Sequence, residues 1–524
     1  MNHIELFSGC GGMALGLRAC GFNLLLANEL SPMAATTFAY NFLSENLAVL
    51  AKDQRKPKHV IWLSSKFRDL AERLRENPFE YPTLGTRNSF SDLPHDPKNL
   101  AGKLIVGSIN DLNRYLRSNP EAQMAMASAF GAASGLDLVS GGPPCQSFSM
   151  AGLRRKDCEK NTLPWEFSEF VGLAKPKLVV LENVSGILRA FKGADDKSFY
   201  AWYEVSKSIA EKGYIPLCLH INARHAGVPQ NRPRFILIGI RYDHFLQHIY
   251  KKPLCDPTGQ LLTPSVRFMH RVKRYGVNLP LGYLTVFDSA LSEHRELMMN
   301  SFLKHLFVGD EVSVKDAIDD LRRTCPRERS QFVEKLHVDL EMEPRSGTVP
   351  NNKERRHSDL VRQRFRVYQI LRDIENKEIR DEVEAILRVK RATLSREAWD
   401  LLRNVSFFVS GKKFVRLPTR KALSDYLRNL STLKRSQRAL DPHEPAPATL
   451  SIPDDSCHYE ELRVLTVREM ARIQSFPDSF VFLSKETTGG SQRRYEVPQY
   501  TQVGNAVPPL LAKRLGMCLV ELLD

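Results

Sequence analysis

Short apolar runs separated by helical patterns dominate the first half of the chain. A run of this length is typical of a buried strand. The predicted strands are His3–Phe7, Asn23–Ala27, Lys103–Val106, Leu136–Val139, Lys177–Leu181 and Phe235–Ile240. Strands that alternate with helices in this way predict an α/β fold built on a doubly wound, mostly parallel sheet.

Two stretches depart from this alternation. Residues 44–100 are polar, contain scattered prolines and include one predicted amphipathic helix near Val60–Arg75, so we interpret them as an insertion on the sheet. From about residue 241 the alternation stops, and Phe365–Val389 carries a helical apolar stripe. The predicted domains are 1–240, with the 44–100 insertion inside it; 241–450, basic and partly helical at 351–440; and a C-terminal segment at 451–524.

The excess of basic residues is concentrated in one part of the chain. The 524 residues contain 75 Lys and Arg against 60 Asp and Glu, a formal net charge of +15. Residues 351–440 alone hold 23 Lys and Arg against 11 Asp and Glu. Such a local excess suggests a surface that faces phosphate groups, and therefore a nucleic acid.

The cysteine and hydropathy patterns exclude several classes of protein. The nine cysteines are scattered and include no Cys-x-x-Cys pair, so neither a disulfide framework nor a structural zinc site is expected. No run of about 18 apolar residues occurs, and the amino terminus has no secretory signal pattern. We therefore expect a cytoplasmic protein with reduced thiols, no metal and no membrane contact.

A glycine-rich turn between the first predicted strand and helix suggests a ligand site. The segment FSGCGG at 7–12 suits close approach of the backbone to a ligand, and Glu29 is placed to bind the two hydroxyls of a ribose. Because the spacing is not G-x-G-x-x-G, a nucleoside-containing cofactor is favoured over a dinucleotide. The alternative is an ordinary glycine turn with a solvent-exposed glutamate.

A single cysteine, Cys145, follows the strand Leu136–Val139 in the sequence SGGPPCQSFS. Two glycines and two prolines stop the strand and place the thiol at its carboxyl edge, where ligands bind in sheets of this kind. A thiol attacks as thiolate, so a nucleophilic role needs a partner or an environment that favours that form. The alternative is a buried, inert cysteine.

Three further polar residues are candidates at the same sheet edge. Glu182 ends an apolar strand and would suit a proton donor; alternatively, it caps the following helix. Arg232 and Arg234 alternate along an extended segment, so they share a face and would suit a phosphate or the carbonyl oxygen of a base. Solvated surface arginines are the alternative.

In this order, the segments resemble those of the DNA cytosine-5 methyltransferase family. The matching blocks are FSGCGG (7–12), GGPPCQSFS (141–149), ENV (182–184), GVPQNRPR (227–234), RVLTVREMARIQSFPDSF (463–480) and QVGNAVPP (502–509). The likeness covers roughly half of the chain, and residues 241–440 only occupy the place of the family's variable target-recognition region. It implies a Rossmann-like S-adenosylmethionine-dependent methyltransferase sheet with a second, target-recognition domain.

The resemblance implies transfer of a methyl group from S-adenosylmethionine to carbon 5 of a cytosine in a specific duplex DNA sequence. Cys145 would add covalently to carbon 6 of the ring, which makes carbon 5 nucleophilic. Glu182 would protonate or hydrogen-bond ring nitrogen 3, and Arg234, with Arg232, would hold the carbonyl oxygen. The target base must be flipped out of the helix to be reached.

The resemblance also implies a set of cofactor-binding positions. They are Phe7, Gly9, Cys10, Gly12, Glu29, Leu30, Ser108, Ile109, Pro144, Leu163, Asn505 and Val507. Ser108 stands where the family usually has an aspartate that accepts a hydrogen bond from the adenine amino group. Serine can still accept one hydrogen bond, so we expect binding. The last helix is expected to fold back onto the first domain.

The implied partner is double-stranded DNA, bound by a monomer. The first block begins near the amino terminus, which is typical of a free-standing bacterial or phage modification enzyme in the cytoplasm, associated with the nucleoid through DNA. A companion restriction endonuclease would act on the same site without a stable complex. Two alternatives stay open: a methyltransferase for a transfer RNA cytosine, and an inactive DNA-binding homologue. The long basic region favours duplex DNA, and the intact nucleophile and cofactor loops argue against inactivity.

Overall fold

The structure is a computed structural model of the protein. It describes residues 1–144, 162–192, 198–250, 256–323, 328–343, 347–411, 413–434, 437–448 and 452–524. The strands are β1 (Asn2–Leu6), β2 (Asn23–Glu29), β3 (Val60–Trp62), β4 (Lys103–Val106), β5 (Leu138–Gly141), β6 (Leu178–Val184), β7 (Phe191–Lys192), β8 (Ser198–Phe199), β9 (Tyr214–Asn222), β10 (Gln230–Asn231), β11 (Pro233–Arg241), β12 (Val286–Asp288), β13 (Phe407–Val409), β14 (Lys413–Val415), β15 (Arg438–Ala439), β16 (Ala446–Pro447) and β17 (Ser456–Cys457).

The α-helices connect and cover these strands. They are α1 (Gly12–Arg18), α2 (Pro32–Phe42), α3 (Leu47–Lys52), α4 (Leu70–Arg73), α5 (Ile109–Ser118), α6 (Pro120–Ala127), α7 (Leu163–Ala174), α8 (Ala201–Glu211), α9 (Tyr242–His244), α10 (Pro257–Tyr275), α11 (Ser292–Met299), α12 (Val314–Ile318), α13 (Gln331–Asp339), α14 (Asp359–Asp373), α15 (Lys377–Leu387), α16 (Arg396–Leu402), α17 (Arg420–Asn429), α18 (Val467–Ile473), α19 (Gln499–Asn505) and α20 (Pro509–Leu523). Among the described residues, none of them combines the length and apolar character needed to cross a lipid bilayer.

One nine-stranded sheet is built from strands between Asn2 and Asp288. Its order is β12-β9-β11-β6-β5-β1-β2-β4-β3. Neighbouring strands are parallel, except that β11 runs antiparallel to both β6 and β9. The predicted doubly wound, mostly parallel α/β fold is therefore confirmed. The carboxyl ends of β1, β2, β4, β5 and β6 meet at one edge of the sheet, where ligands bind in this architecture.

The central strands are buried on both faces, which explains their continuous apolar runs. Ile4, Val139, Leu181 and Leu237 are all fully buried in the main hydrophobic core. Each such side chain stabilises the fold by about 1.5–3 kcal/mol relative to an exposed one. Two predicted strands have different bounds in the structure. The strand predicted at 136–139 lies two residues later, as β5, and the strand predicted at 177–181 extends to Val184, as β6.

The last helix packs against the first one. A Cβ added at Gly16 in α1 would lie 2.3 Å from the carbonyl oxygen of Pro509 and 2.5 Å from the backbone nitrogen of Lys513 in α20. No side chain fits between two backbones at that separation, so glycine at position 16 permits the contact. The two ends of the chain therefore build one layer of the same domain.

A second hydrophobic core lies in the basic region. It is formed by α14 to α17 and strand β13, and includes Cys457 and Val464 from the C-terminal part of the chain. The apolar stripe predicted over Phe365–Val389 is divided between two helices, because Asn376 caps the start of α15 with hydrogen bonds from the backbone N–H groups of Glu378 and Ile379. This region therefore has its own packed core and is not a flexible basic arm.

The predicted helix near Val60–Arg75 is wrong for most of its length. Val60–Trp62 forms edge strand β3, and only Leu70–Arg73 is α-helical. Val60 and Trp62 are buried against α2 and β4, so packing on the sheet outweighs the helical spacing of the apolar residues. Part of the expected insertion thus extends the main sheet. The strand β9 was not predicted from the sequence.

Candidate active site

A cavity of about 260 Å³ opens at the carboxyl edge of the sheet. Its walls come from the loops after β1, β2, β4 and β5, from Glu182 in β6, and from the chain around α19. All twelve expected cofactor positions line it: Phe7, Gly9, Cys10, Gly12, Glu29, Leu30, Ser108, Ile109, Pro144, Leu163, Asn505 and Val507. The structure therefore brings together residues from the first and last segments of the chain.

The glycine-rich loop allows a close approach between the two ends of the chain. A Cβ at Gly12 would lie 2.2 Å from the carbonyl oxygen of Val507, so no larger residue fits there without displacing that segment. Gly9 has a positive φ of 55°, and a Cβ at this position would meet no atom within 4 Å. The loop thus packs tightly on one side and borders open space on the other.

Glu29 is fixed by two backbone groups at the end of β2. Its Oε2 accepts a hydrogen bond from the Gly9 N–H at 2.8 Å, and its Oε1 accepts one from the Ser31 N–H at 2.8 Å. Burial raises the pKa of Glu29, and these two hydrogen bonds oppose that shift. Each carboxylate oxygen has a second lone pair, so the side chain can also accept hydrogen bonds from a ligand.

Ser108 has a local structural role at the start of α5. Its hydroxyl oxygen caps this helix by accepting a hydrogen bond from the Asn110 N–H at 3.2 Å. An Asp at this position could cap the helix and also present a second oxygen to a ligand, whereas serine has one oxygen for both tasks. Serine at this wall therefore offers a ligand fewer acceptor oxygens than an aspartate would offer.

Glu182 and Arg234 form a buried ion pair. The Arg234 Nε lies 2.8 Å from the Glu182 Oε1, and both side chains are about one-tenth exposed. The pair exists because β11 runs antiparallel to β6, with Ile236 opposite Glu182. Burial lowers the pKa of Arg234, and the Glu182 carboxylate opposes that shift. Glu182 does not cap the following helical turn, so that alternative is wrong.

Arg232 has different partners from Arg234. Its Nη2 donates hydrogen bonds to the carbonyl oxygens of Gly504 at 2.8 Å and Ala506 at 3.3 Å. Both arginines are buried, so the alternative of solvated surface arginines is wrong. The structure therefore pairs Arg234 with Glu182 and uses Arg232 to hold the segment that carries Asn505 and Val507.

The base of the cysteine loop touches the Glu182 segment, although Cys145 itself lies outside the described residues. The amide nitrogen of Asn183 donates to the carbonyl oxygen of Pro143 at 3.1 Å. A Cβ at Gly142 would lie 3.3 Å from the Glu182 Oε2. The loop thus leaves β5 directly beside the Glu182 carboxyl group.

Several residues on the cavity wall were not predicted. Pro78 and Phe79 come from the 44–100 stretch, and residues 493–497 come from the chain before α19. Neither segment carries a recognisable motif, so only the fold shows that they reach the cavity. The Asn-Pro pair at 77–78 does indicate a turn, but not where that turn lies.

Comparisons with known proteins find relatives that match most of this chain. The family model for the C-5 cytosine-specific DNA methylase matches residues 1–62 and 121–521. Type II methyltransferase M.DdeI of Desulfomicrobium norvegicum is 26% identical over 98% of this chain and 88% of its own length. DNA (cytosine-5-)-methyltransferase M.ApeKI of Aeropyrum pernix is 24% identical over 99% of this chain and 98% of its own length.

Solved structures give a weaker likeness. A prophage-encoded E. coli protein assigned as a DNA modification methyltransferase has a TM-score of 0.47 at 20% identity, covering 100% of this chain and 99% of its own. Because the family model spans most of the chain, the assignment does not depend on that likeness. The predicted enzyme class, DNA (cytosine-5-)-methyltransferase, is confirmed, and the chain belongs to the C-5 cytosine-specific DNA methylase family.

Proposed function

We propose that this protein transfers a methyl group from S-adenosylmethionine to carbon 5 of a flipped-out cytosine in a specific duplex DNA sequence, as the modification enzyme of a restriction–modification system. One observation carries the proposal: Glu182 and the base of the Cys145 loop lie on the wall of the cavity that also gathers the expected cofactor residues. A methyl donor and a reacting base need adjoining sites, since they must meet within bonding distance.

The cavity fits S-adenosylmethionine in the chemistry of its walls. Glu29 offers carboxylate lone pairs to two ribose hydroxyls, and the side chains of Leu30 and Ile109 offer apolar surface to a purine. Gly9 borders open space, where a ligand can approach the backbone. The bound cofactor would supply an electron-poor methyl group. This chain's own residues would supply its orientation and the activation of the base.

Activation of the cytosine would start at Cys145. Its thiolate adds to carbon 6, and the electrons of the carbon 5–carbon 6 double bond make carbon 5 nucleophilic. Glu182, which takes up a proton as the base enters, then protonates or hydrogen-bonds nitrogen 3, and the Arg234 guanidinium holds the carbonyl oxygen, so both stabilise the charge that develops on the ring. Once carbon 5 carries the methyl group, loss of its proton expels the thiol and restores the double bond.

The ion pair between Glu182 and Arg234 orients both groups before the base arrives. Their 2.8 Å contact is buried in the sheet, where side chains have little freedom. The alternating spacing of Arg232 and Arg234 suggested that both hold the base. Instead, Arg232 fixes the segment 504–507, which forms part of the proposed cofactor wall. We therefore propose Arg234 as the residue that contacts the base, and Arg232 as a positioning residue.

Duplex DNA would be bound largely by the basic region. Flipping a cytosine costs about a few kcal/mol, which phosphate contacts elsewhere can offset. Lys413, Arg416, Arg420 and Lys421 are exposed, and none has an ion-pair partner among the described residues. We propose that they contact phosphates, that other residues of 241–450 read base edges, and that a monomer binds each site in the bacterial cytoplasm.

The test is a product assay on purified protein. Unmethylated duplex DNA is incubated with isotope-labelled S-adenosylmethionine, digested to nucleosides and analysed by mass spectrometry, with Cys145→Ser as the inactive control. We expect labelled 5-methylcytosine from the wild type alone, and bisulfite sequencing then gives the target sequence. Methyl transfer to transfer RNA but not to DNA would assign the protein to the RNA-directed branch, and no transfer to either would support the inactive homologue.

The restriction–modification role has its own test. DNA from a host that expresses the protein should resist an endonuclease that cleaves the methylated sequence in its unmodified form. DNA from a host that expresses Cys145→Ser should be cut. If both DNAs are cut equally, although 5-methylcytosine is present, the enzyme serves a purpose other than protection from that endonuclease.

A further inference from the structure

We propose that Phe79 forms the wall of the cofactor cavity against which the adenine ring of S-adenosylmethionine stacks. The residue comes from the 44–100 stretch, lies in the range 63–120 that the family model leaves unmatched, and belongs to none of the blocks or cofactor positions taken from the family resemblance. This inference rests on the proposed function, because it adds a specific contact to the proposed cofactor site.

The place of Phe79 follows from its neighbours. Pro78 and Phe79 line the same cavity as Glu29, Leu30 and Ser108. Two residues further on, the Tyr81 hydroxyl donates a hydrogen bond to the carbonyl oxygen of Leu30 at 3.4 Å. Since Leu30 directly follows the proposed ribose ligand Glu29, the short 3-10 turn Pro78–Glu80 lies at the nucleoside end of the cavity.

Hydrogen bonds on both sides hold this turn in place. Asn77 accepts a hydrogen bond from the Phe79 N–H at 3.2 Å and donates one to Glu80 at 3.0 Å. Lys66 pairs with Glu80 at 2.9 Å, and the buried Glu76 accepts hydrogen bonds from the Ser65 hydroxyl and the Lys66 N–H. A wall fixed before the ligand arrives loses little entropy on binding.

The chemistry of the wall favours an aromatic contact at this point. Phe7, Phe79 and Tyr495 are the aromatic side chains among the described residues of the cavity wall. Phe7 follows β1 and Tyr495 precedes α19, whereas Phe79 belongs to the turn beside Leu30. Its side chain is 52% exposed, so a planar ring bound here would cover it. Stacking requires only the flat face of an aromatic ring and needs no hydrogen bond.

Stacking on Phe79 would also explain how the chain tolerates serine at position 108. The Ser108 hydroxyl oxygen already caps α5, so it has less capacity to accept a hydrogen bond from an adenine amino group than a carboxylate would have. Apolar and π contact with the ring offsets that loss. The 44–100 stretch would then be part of the cofactor site.

The test measures ligand binding by calorimetry in the wild type and in Phe79→Ala, Phe79→Trp and Phe414→Ala. Phe414 is a matched control because it is 54% exposed on β14 and does not line the cavity. The probes are S-adenosylhomocysteine and adenosine. We expect Phe79→Ala to weaken binding of both probes about tenfold, Phe79→Trp to bind like the wild type, and Phe414→Ala to have no effect.

Kinetics and stability separate stacking from loss of folding. Phe79→Ala should raise the KM for S-adenosylmethionine without a comparable change in kcat, and its ligand-free melting temperature should match that of Phe414→Ala. Equal affinities of Phe79→Ala and wild type for both probes would overturn the inference. If the wild type binds S-adenosylhomocysteine tightly but methylates nothing, the proposed function fails. The assignment of Phe79 is then decided only by the affinities of wild type and Phe79→Ala for the two probes.

Discussion

The Arg232 guanidinium donates a hydrogen bond to the carbonyl oxygen of Gly504, 272 residues further along the chain, at a distance of 2.8 Å. Two blocks that are far apart in the sequence, GVPQNRPR and QVGNAVPP, therefore meet through one buried side chain. The contact fixes the segment that carries Asn505 and Val507 against the sheet, and both of those residues line the cofactor cavity.

Replacing Arg232 by methionine should destabilise the protein by about 3 kcal/mol, because the buried Gly504 carbonyl oxygen and the partly buried Ala506 carbonyl oxygen would each lose this donor. Urea denaturation measures the free energy of unfolding. Arg420→Met, at an exposed arginine, is the control and should change it little. Equal midpoints for Arg232→Met and wild type would show that the contact contributes no stability.

Replacing Cys145 by alanine should abolish methyl transfer and leave DNA affinity largely intact, since no adduct to carbon 6 can form. Duplex DNA with 5-fluorocytosine at the target site traps such an adduct, because the fluorine cannot leave as a proton does. With the cofactor present, the wild type and Cys20→Ala should become covalently linked to this DNA on a denaturing gel. A trapped complex with Cys145→Ala would assign the nucleophile elsewhere.

Replacing Glu182 by glutamine should lower the single-turnover rate about 10²- to 10⁴-fold, because glutamine removes both the carboxyl group that can carry a proton to nitrogen 3 and the ion-pair partner of Arg234. Affinity for DNA and for S-adenosylhomocysteine should change only slightly. Glu72→Gln, at an exposed glutamate in α4, controls for the loss of one charge. An unchanged rate for Glu182→Gln would remove this residue from the mechanism.

Replacing four exposed cations by glutamine should reduce the salt dependence of DNA binding. If Lys413, Arg416, Arg420 and Lys421 each neutralise a phosphate, the slope of log K against log salt should become less steep by about 3 to 4 units. The control replaces four arginines already paired with nearby carboxylates: Arg362, Arg388, Arg403 and Arg428. Deleting residues 351–440 would be a poorer test, because it removes a packed core. An equal loss in both variants would show that only net charge matters.

Stability should decrease as the pH falls below about 6.5, the ordinary pKa of histidine, and His458 should contribute to that decrease. Burial lowers the pKa of His458 far below this value, and its Nδ1 accepts hydrogen bonds from the Glu460 and Glu461 N–H groups. The unfolded chain therefore takes up a proton that the folded chain does not, which costs up to about 1.4 kcal/mol per pH unit.

His458→Asn tests this prediction, because an amide oxygen can accept the same hydrogen bonds without titrating. Free energies of unfolding are measured for both proteins between pH 7.5 and pH 5. As the pH falls, the free energy of unfolding should decrease less in His458→Asn than in the wild type. A constant difference across this range would mean that His458 takes up its proton equally in the folded and unfolded states, and the prediction would be wrong.

The strands at the centre of the sheet could be predicted from the sequence because their apolar runs are local patterns, whereas their order in the sheet depends on pairing between distant segments. The apolar runs that became β1, β4 and β11 were recognised, since continuous hydrophobic residues are typical of strands buried on both faces. Val60–Trp62 was misread because a short run with polar neighbours suits a helix or a strand, and only its packing on β4 decides.

The candidate site was predictable only where motifs mark it. All the cofactor positions taken from the family resemblance line the cavity, whereas Phe79 was missed because its role depends on where a turn in an unmatched stretch reaches the sheet. The different partners of Arg232 and Arg234 could not be read from their spacing either. Alternation fixes which face a side chain leaves from, but not which distant carbonyl it meets.

The close contact between Gly12 and the carbonyl oxygen of Val507 has a consequence for biosynthesis. The ribosome releases the glycine-rich loop early, but the opposite wall of the cavity arrives only with the final helical segment. A nascent chain can therefore assemble most of its sheet while this wall of the cavity is still missing. Under the proposed function, we expect methyl transfer to begin only once translation has passed Val507.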